Sequence, residues 1–297
     1  MTRIFCNIPA LEATLSYWCP ESELMHRIVA EVRDEVSGVR LPPYEIAEQP
    51  AFQVLAHIEL DAALSGNHLM VQFGAAIESH PYRVALGAFH WDFWKISISA
   101  LIPALLARGI VVFHAACIMT AGKVYLLPGM SGAGKSTLSF YARSQGARVF
   151  ASELAFVNAS GMLAGNALMS IDDAAMRLMH IPKPERARCV GGRVLAQSDP
   201  LPAPLAVDSV IFPRISPTKS YSERLISARR SRMLLFENAC GQLGFAQLID
   251  EQSAPVRLLP TGLEIDAIMG AVNRLACRES LICEGSPDRV WAELSGR

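Results

Sequence analysis

Leu126-Leu127-Pro128-Gly129-Met130-Ser131-Gly132-Ala133-Gly134-Lys135-Ser136-Thr137-Leu138 decides how this chain is read. It fits G-x-x-x-x-G-K-[ST], the pattern of a phosphate-binding loop. Val124-Tyr125-Leu126-Leu127 predicts a buried strand before it, and Ser136 to Ser144 predicts a helix that Gly146 closes. The glycines let the backbone bend tightly and approach a phosphate chain without Cβ clashes. Exposed N–H groups and a helix N-terminus then offer positive potential to an anion. The expected nucleotide-binding set is Gly129, Ser131, Gly132, Ala133, Gly134, Lys135, Ser136 and Thr137. Lys135 is expected at the β/γ-phosphates and the Ser136 hydroxyl on Mg²⁺. The plainer alternative is a chance glycine-rich turn, and the order strand, loop, Lys-Ser, helix weighs against it.

Upstream, the nearly continuous apolar run Ile110 to Met119 predicts a central strand. The short turn at Thr120-Ala121-Gly122-Lys123 makes it one arm of an antiparallel hairpin with the loop strand. That pairing is unusual for phosphate-loop proteins, whose sheets are mostly parallel. Earlier strands are expected at Phe52–Leu60, Asn67–Phe73 and Tyr82–Gly87, and a helix from Asp92 to Leu106. Glu23 to Val36 fits a strand or a short helix, and the aromatic cluster Phe89–Trp94 reads as core filling. Downstream, Gly146 to Val157 predicts one strand with an acidic residue near its middle, and Leu205 to Phe212 another. From Glu223 the pattern is mainly helical, with a last strand at Leu281–Glu284. Ser286-Pro287 starts a final helix carrying Val290, Trp291 and Leu294. The whole reads as an α/β protein, with a β-rich region over 1–105 and a loop-bearing core over 106–297.

With 297 residues, 51% hydrophobic and 19% charged, the chain can bury a sizeable core. Its net charge of −1 argues against a dedicated nucleic-acid binder. The seven cysteines are odd in number, scattered and without C-x-x-C, as expected of reduced thiols in a cytoplasmic protein rather than a zinc site. No secretory signal pattern opens the sequence. Pro103, Arg108, Gly109 and His114 interrupt the most apolar region, so no membrane span is expected. Two basic stretches, Lys183 to Arg193 and Ala228 to Arg232, read as solvated surface. Both have a clamp as the alternative, the first for a phosphate or an acidic acceptor and the second for a phosphate or a peptide.

Four elements in order, His114-Ala115-Ala116, Gly129 to Thr137, Gln145-Gly146-Ala147-Arg148 and Ala151-Ser152-Glu153, resemble the HPr kinase/phosphorylase family and its related group. The resemblance covers roughly a seventh of the chain. It implies an α/β phosphate-loop core of the HPr kinase and phosphoenolpyruvate carboxykinase type. The implied activity is an ATP- and Mg²⁺-dependent kinase that transfers the γ-phosphoryl group to a hydroxyl on a peptide, a protein or a small molecule. Carried over by position, Lys135 stabilises charge on the transferred group, Ser136 and Glu153 hold the metal, and His114 stands beside the γ-phosphate. The hexamers of that family leave homo-oligomerisation open. One departure matters: the family's general-base carboxylate is aligned with Ser152, whose hydroxyl is too weak a base at neutral pH. Asp172-Asp173 is the nearest acidic pair that would replace it. The alternative implied is a nucleotide-binding regulatory module that has lost transfer activity. His114 and Glu153 also have plain alternatives, as a core histidine and a strand-end carboxylate.

Overall fold

The structure, a computed structural model, describes residues 2–19, 45–65, 68–74, 81–85, 97–98, 101–202, 204–243, 248–249, 255–256 and 262–296. Strands and helices are numbered separately in chain order. The chain is α/β and divides into two compact units, Met1–Ile110 with Cys240–Ala267, and Val111–Ala239 with Ile268–Arg297. Cys240–Ala267 thus belongs with the N-terminal unit, which two separate stretches of chain build together. The expected elements at Glu23–Val36 and Phe89–Trp94 lie outside the described residues.

The first unit holds an eight-stranded sheet. Its strands are β1 (Thr2–Ile8), β2 (Ala13–Cys19), β3 (Glu45–Ala47), β4 (Val54–Ser65), β5 (His68–Gly74) and β6 (Pro81–Ala85). The two-residue strands β17 (Leu248–Ile249) and β18 (Pro255–Val256) complete the order β18-β17-β6-β5-β4-β2-β1-β3. The expected strands at 52–60, 67–73 and 82–87 correspond to β4, β5 and β6. β1 and β2 give no alternation in sequence because Ile4 to Ile8 and Ala13 to Tyr17 are buried on both faces. Of the expected helix over 92–106, residues 97–98 and 101–106 are described and helical.

The second unit carries the loop. β7 (Val111–Thr120) and β8 (Lys123–Pro128) form the antiparallel hairpin expected, from Ala115↔Pro128 to Thr120↔Lys123. Ala121 and Gly122, at φ 49 and 80, make its turn. β15 (Ser209–Ile215) lies parallel to β8, and β19 (Glu279–Gly285) parallel to β15. The sheet runs β11-β10-β7-β8-β15-β19-β16, with β10 at Leu154–Asn158, β11 at Gly161–Gly165 and β16 at Ser222–Leu225. β16 puts a strand where the sequence reads as helical. A three-stranded sheet follows the order β12-β14-β13, from Leu168–Asp172, Arg193–Gln197 and Arg188–Val190. The basic stretch Lys183 to Arg193 is thus largely a hairpin, turning at Gly191-Gly192.

Two further expectations change. The strand predicted from Gly146 to Val157 is two strands, β9 (Arg148–Ala151) and β10 (Leu154–Asn158), both against β7. Between them Ser152 and Glu153 leave the ladder because their N–H groups bond to a side chain instead. The strand predicted from Leu205 begins at Ser209; Leu205 itself makes one bridge to Met162, and the Asp208 carboxylate takes the Val124 N–H at 2.8 Å.

The core lies between this sheet and two helices, α1 (Lys135–Ser144) and α5 (Pro287–Gly296). Leu138, Phe140 and Ala142 of α1 and Val290, Trp291 and Leu294 of α5 are buried with Tyr125, Leu127 and Ile211. Each large side chain so buried contributes about 1.5–3 kcal/mol, and together they fix where α1 begins. α1 ends as the sequence predicts, with Gly146 at φ 86. Three further helices are α2 (Asp173–Leu178), α3 (Ala228–Leu243) and α4 (Gly262–Ala276). Arg229, Arg230 and Arg232 are exposed on α3 while Ser231 is buried, which is a solvated face. No helix among the described residues is long and apolar enough to cross a membrane.

Candidate functional site

Residues 129–134 join the end of β8 to the start of α1. Gly132 and Gly134 sit at φ 82 and 89, backbone that favours glycine. Gly134 is the N-cap of α1 and supplies no side-chain cap, so the first N–H groups of the helix have no partner within it. A Cβ on Gly134 would collide with the Ile215 side chain. The Ile215 N–H donates to Ala133 O at 3.1 Å, and the Gly129 N–H to His114 O at 3.3 Å. The loop is therefore held between β7 and the end of β15. Ser131 is exposed, Ala133 and Ser136 are half-buried, and Thr137 is buried.

Lys135, at 5% exposure, is folded over the loop: Nζ donates to Gly129 O at 2.7 Å and Met130 O at 3.0 Å. Burial pushes its pKa down to about 8, against the pull of the Glu153 carboxylate. His114 is lowered to about 4, by burial first and then by the Lys135 charge, and is neutral at pH 7. Glu153 is raised by burial, and the charges of Lys135 and Arg193 oppose that rise. Residues far apart in sequence thus feel one another's charge: His114 on β7, Lys135 on α1, Glu153 at the β9–β10 bend, and Arg193 on β14. The strand register agrees, since His114 stands opposite Leu154, next to Glu153. Among the described residues no cluster of three or more His, Cys, Asp or Glu is preassembled for a metal. Mg²⁺ is commonly held by one or two carboxylates plus phosphate oxygens, and a donor set of Ser136 and Glu153 is of that kind.

Ser152 precedes Glu153 at the same bend. It is 2% exposed, and its hydroxyl donates to Leu168 O at 3.4 Å and accepts from Asn166 Nδ2 at 3.1 Å. Asn166 Oδ1 accepts the N–H groups of Ser152, Glu153 and Leu154 at 3.0, 2.9 and 3.0 Å. This one buried amide shapes the bend that carries Glu153. The acids proposed as substitutes serve α2: Asp172 caps it, accepting from Ala174 N at 2.8 Å and Ala175 N at 3.1 Å, and Asp173 pairs with Arg177.

Asn166 escapes a motif-based reading, although a lone Asn in an apolar stretch between Leu163 and Leu168 is the signal that marks it. Asn238 on α3 is a second such residue. Its Nδ2 donates to His114 O at 3.0 Å, and its buried Oδ1 has no partner among the described residues. Arg193, grouped with surface charge in the sequence, is aimed by a bond from Nε to Ser170 Oγ at 2.6 Å. Compared with known proteins, the chain matches no family model and no curated protein.

Proposed function

We propose that this protein is an ATP- and Mg²⁺-dependent kinase resembling the HPr-kinase-like group, transferring the γ-phosphoryl group to a hydroxyl acceptor on a peptide, a protein or a small molecule. The observation that carries the reading is Lys135, buried across a glycine loop at an uncapped helix start and electrostatically linked to His114 and Glu153. Backbone N–H groups of the loop and α1 would bind the phosphates, and Lys135 would neutralise charge on the transferred group. Ser136 and Glu153 would hold Mg²⁺, which when bound screens phosphate charge. Neutral His114 has one N–H to donate and one nitrogen to accept with, which suits an orienting group beside the acceptor.

The test is calorimetric binding of MgATP, together with release of ADP and transfer of labelled γ-phosphate to serine-containing peptides and small alcohols. The parent protein is expected to bind and transfer, and Lys135→Ala to lose binding because a charge-assisted phosphate contact goes. A parent that binds no nucleotide sinks this reading.

A second reading, a nucleotide-binding module without transfer, is favoured by Ser152. Its hydroxyl is spent on Leu168 O and Asn166, so an Asp there would meet a carbonyl in a dry setting and be pushed towards its neutral form. Ser152→Asp is expected to lower the melting temperature and leave transfer unchanged. A gain of about 10²–10⁴-fold, the usual worth of a positioned base, would mean that side chain 152 does reach the acceptor.

A further inference from the structure

The second unit contains a cleft of about 300 Å³ away from the glycine loop. It is bounded by the β10–β11 turn, the segment before β15 and the end of α4. Arg274 and Arg278 line it together with Ser160, and Val207, Ala271 and Leu275 give it an apolar wall. Its position follows from the register. Ser209 stands beside both Tyr125 and Glu279, so Val207 and Arg278 precede the starts of parallel strands, whereas the loop follows the other end of β8.

Among the described residues neither Arg274 nor Arg278 has an ion-pair partner. Arg274 lies in the last turn of α4, where a cation is favoured in any case. Arg278 lies two residues beyond the end of α4, its N–H donating to Leu275 O at 3.0 Å. Both arginines are exposed and bring two positive charges to one small cleft. A dianion answers two positive charges, and a guanidinium matches phosphate oxygens in pairs. The apolar wall would then take a small organic body, as ligand sites of this size commonly do.

We propose that this cleft is a binding site for a small phosphate monoester, separate from the glycine loop and independent of the kinase reading. The probe is phenyl phosphate, titrated into the Lys135→Ala protein so that the glycine loop contributes nothing, with inorganic phosphate and benzoate in parallel. Phenyl phosphate is expected to saturate one site. It should bind more tightly than inorganic phosphate, which lacks the apolar part, and than benzoate, which carries one charge. Arg274→Gln and Arg278→Gln, both at exposed positions, should each weaken binding about tenfold, as loss of one charge-assisted pair does. Ala206→Phe, on the exposed rim, should block the cleft without removing a charge. Any of three results overturns the proposal: no saturation below about 10 mM, affinity unchanged by the folded double Arg→Gln protein, or phosphate binding as well as its phenyl ester.

Discussion

Lys135 gives up its proton near pH 8 because burial works against its charge more strongly than Glu153 supports it. A bound phosphate chain needs that proton, so nucleotide affinity should fall by about tenfold per pH unit once the pH exceeds about 8, by linkage. Calorimetry at pH 7, 8 and 9 would show this, and the Lys135→Ala protein should show no such slope. An affinity that is flat to pH 9 would mean the lysine does not meet the phosphates. His114 acts on stability with the opposite dependence on pH. Its usual pKa of 6.5 falls to about 4 in the fold, so between those values the unfolded chain takes a proton that the folded chain refuses. Stability due to His114 is whole above 6.5 and is lost as pH falls towards 4, by up to about 3 kcal/mol. Comparing acid denaturation of the parent and of His114→Asn isolates this loss from that of the carboxylates.

At the scale of elements, the bend between β9 and β10 carries Glu153, and one amide shapes it. Asn166→Ala would leave three N–H groups without their acceptor, and the two that are buried, of Ser152 and Leu154, would cost about 1–3 kcal/mol each. The expected outcome is a large fall in denaturation midpoint, with Mg²⁺-dependent nucleotide binding weakened more than metal-free binding as Glu153 shifts. Asn166→Asp keeps the acceptor and should recover the metal dependence in part. The same bend explains what the sequence conceals. The hairpin β7–β8, the limits of α1 and the final strand and helix are legible because each rests on local apolar runs, turn residues and caps. The break at Ser152–Glu153 rests on a side chain thirteen positions beyond Glu153, and no local pattern carries that. β16 is unreadable for a similar reason, since its four residues are all exposed and are strand only by pairing with β19. At the site, the loop and Lys135 are read from a motif, whereas Asn166, Asn238 and the aim of Arg193 come from tertiary placement.

Over the whole molecule, neither unit is a single run of chain, and two of the three divisions fall inside α3 and α4. Non-local pairing of this kind is slow to form. During refolding, helix content should therefore return before the capacity to bind a fluorescent nucleotide, and stopped-flow recording of both signals would test that order. Simultaneous recovery would refute it. The reason lies in the contact of Gly134 with Ile215, about eighty positions later in the sequence. A ribosome that has released Thr137 has made every atom the phosphate motif specifies, yet the wall that gives the loop its shape is still unsynthesised. The motif is complete well before the site is, and a chain stopped short of β15 would carry the signature in sequence while lacking the structure that holds its loop.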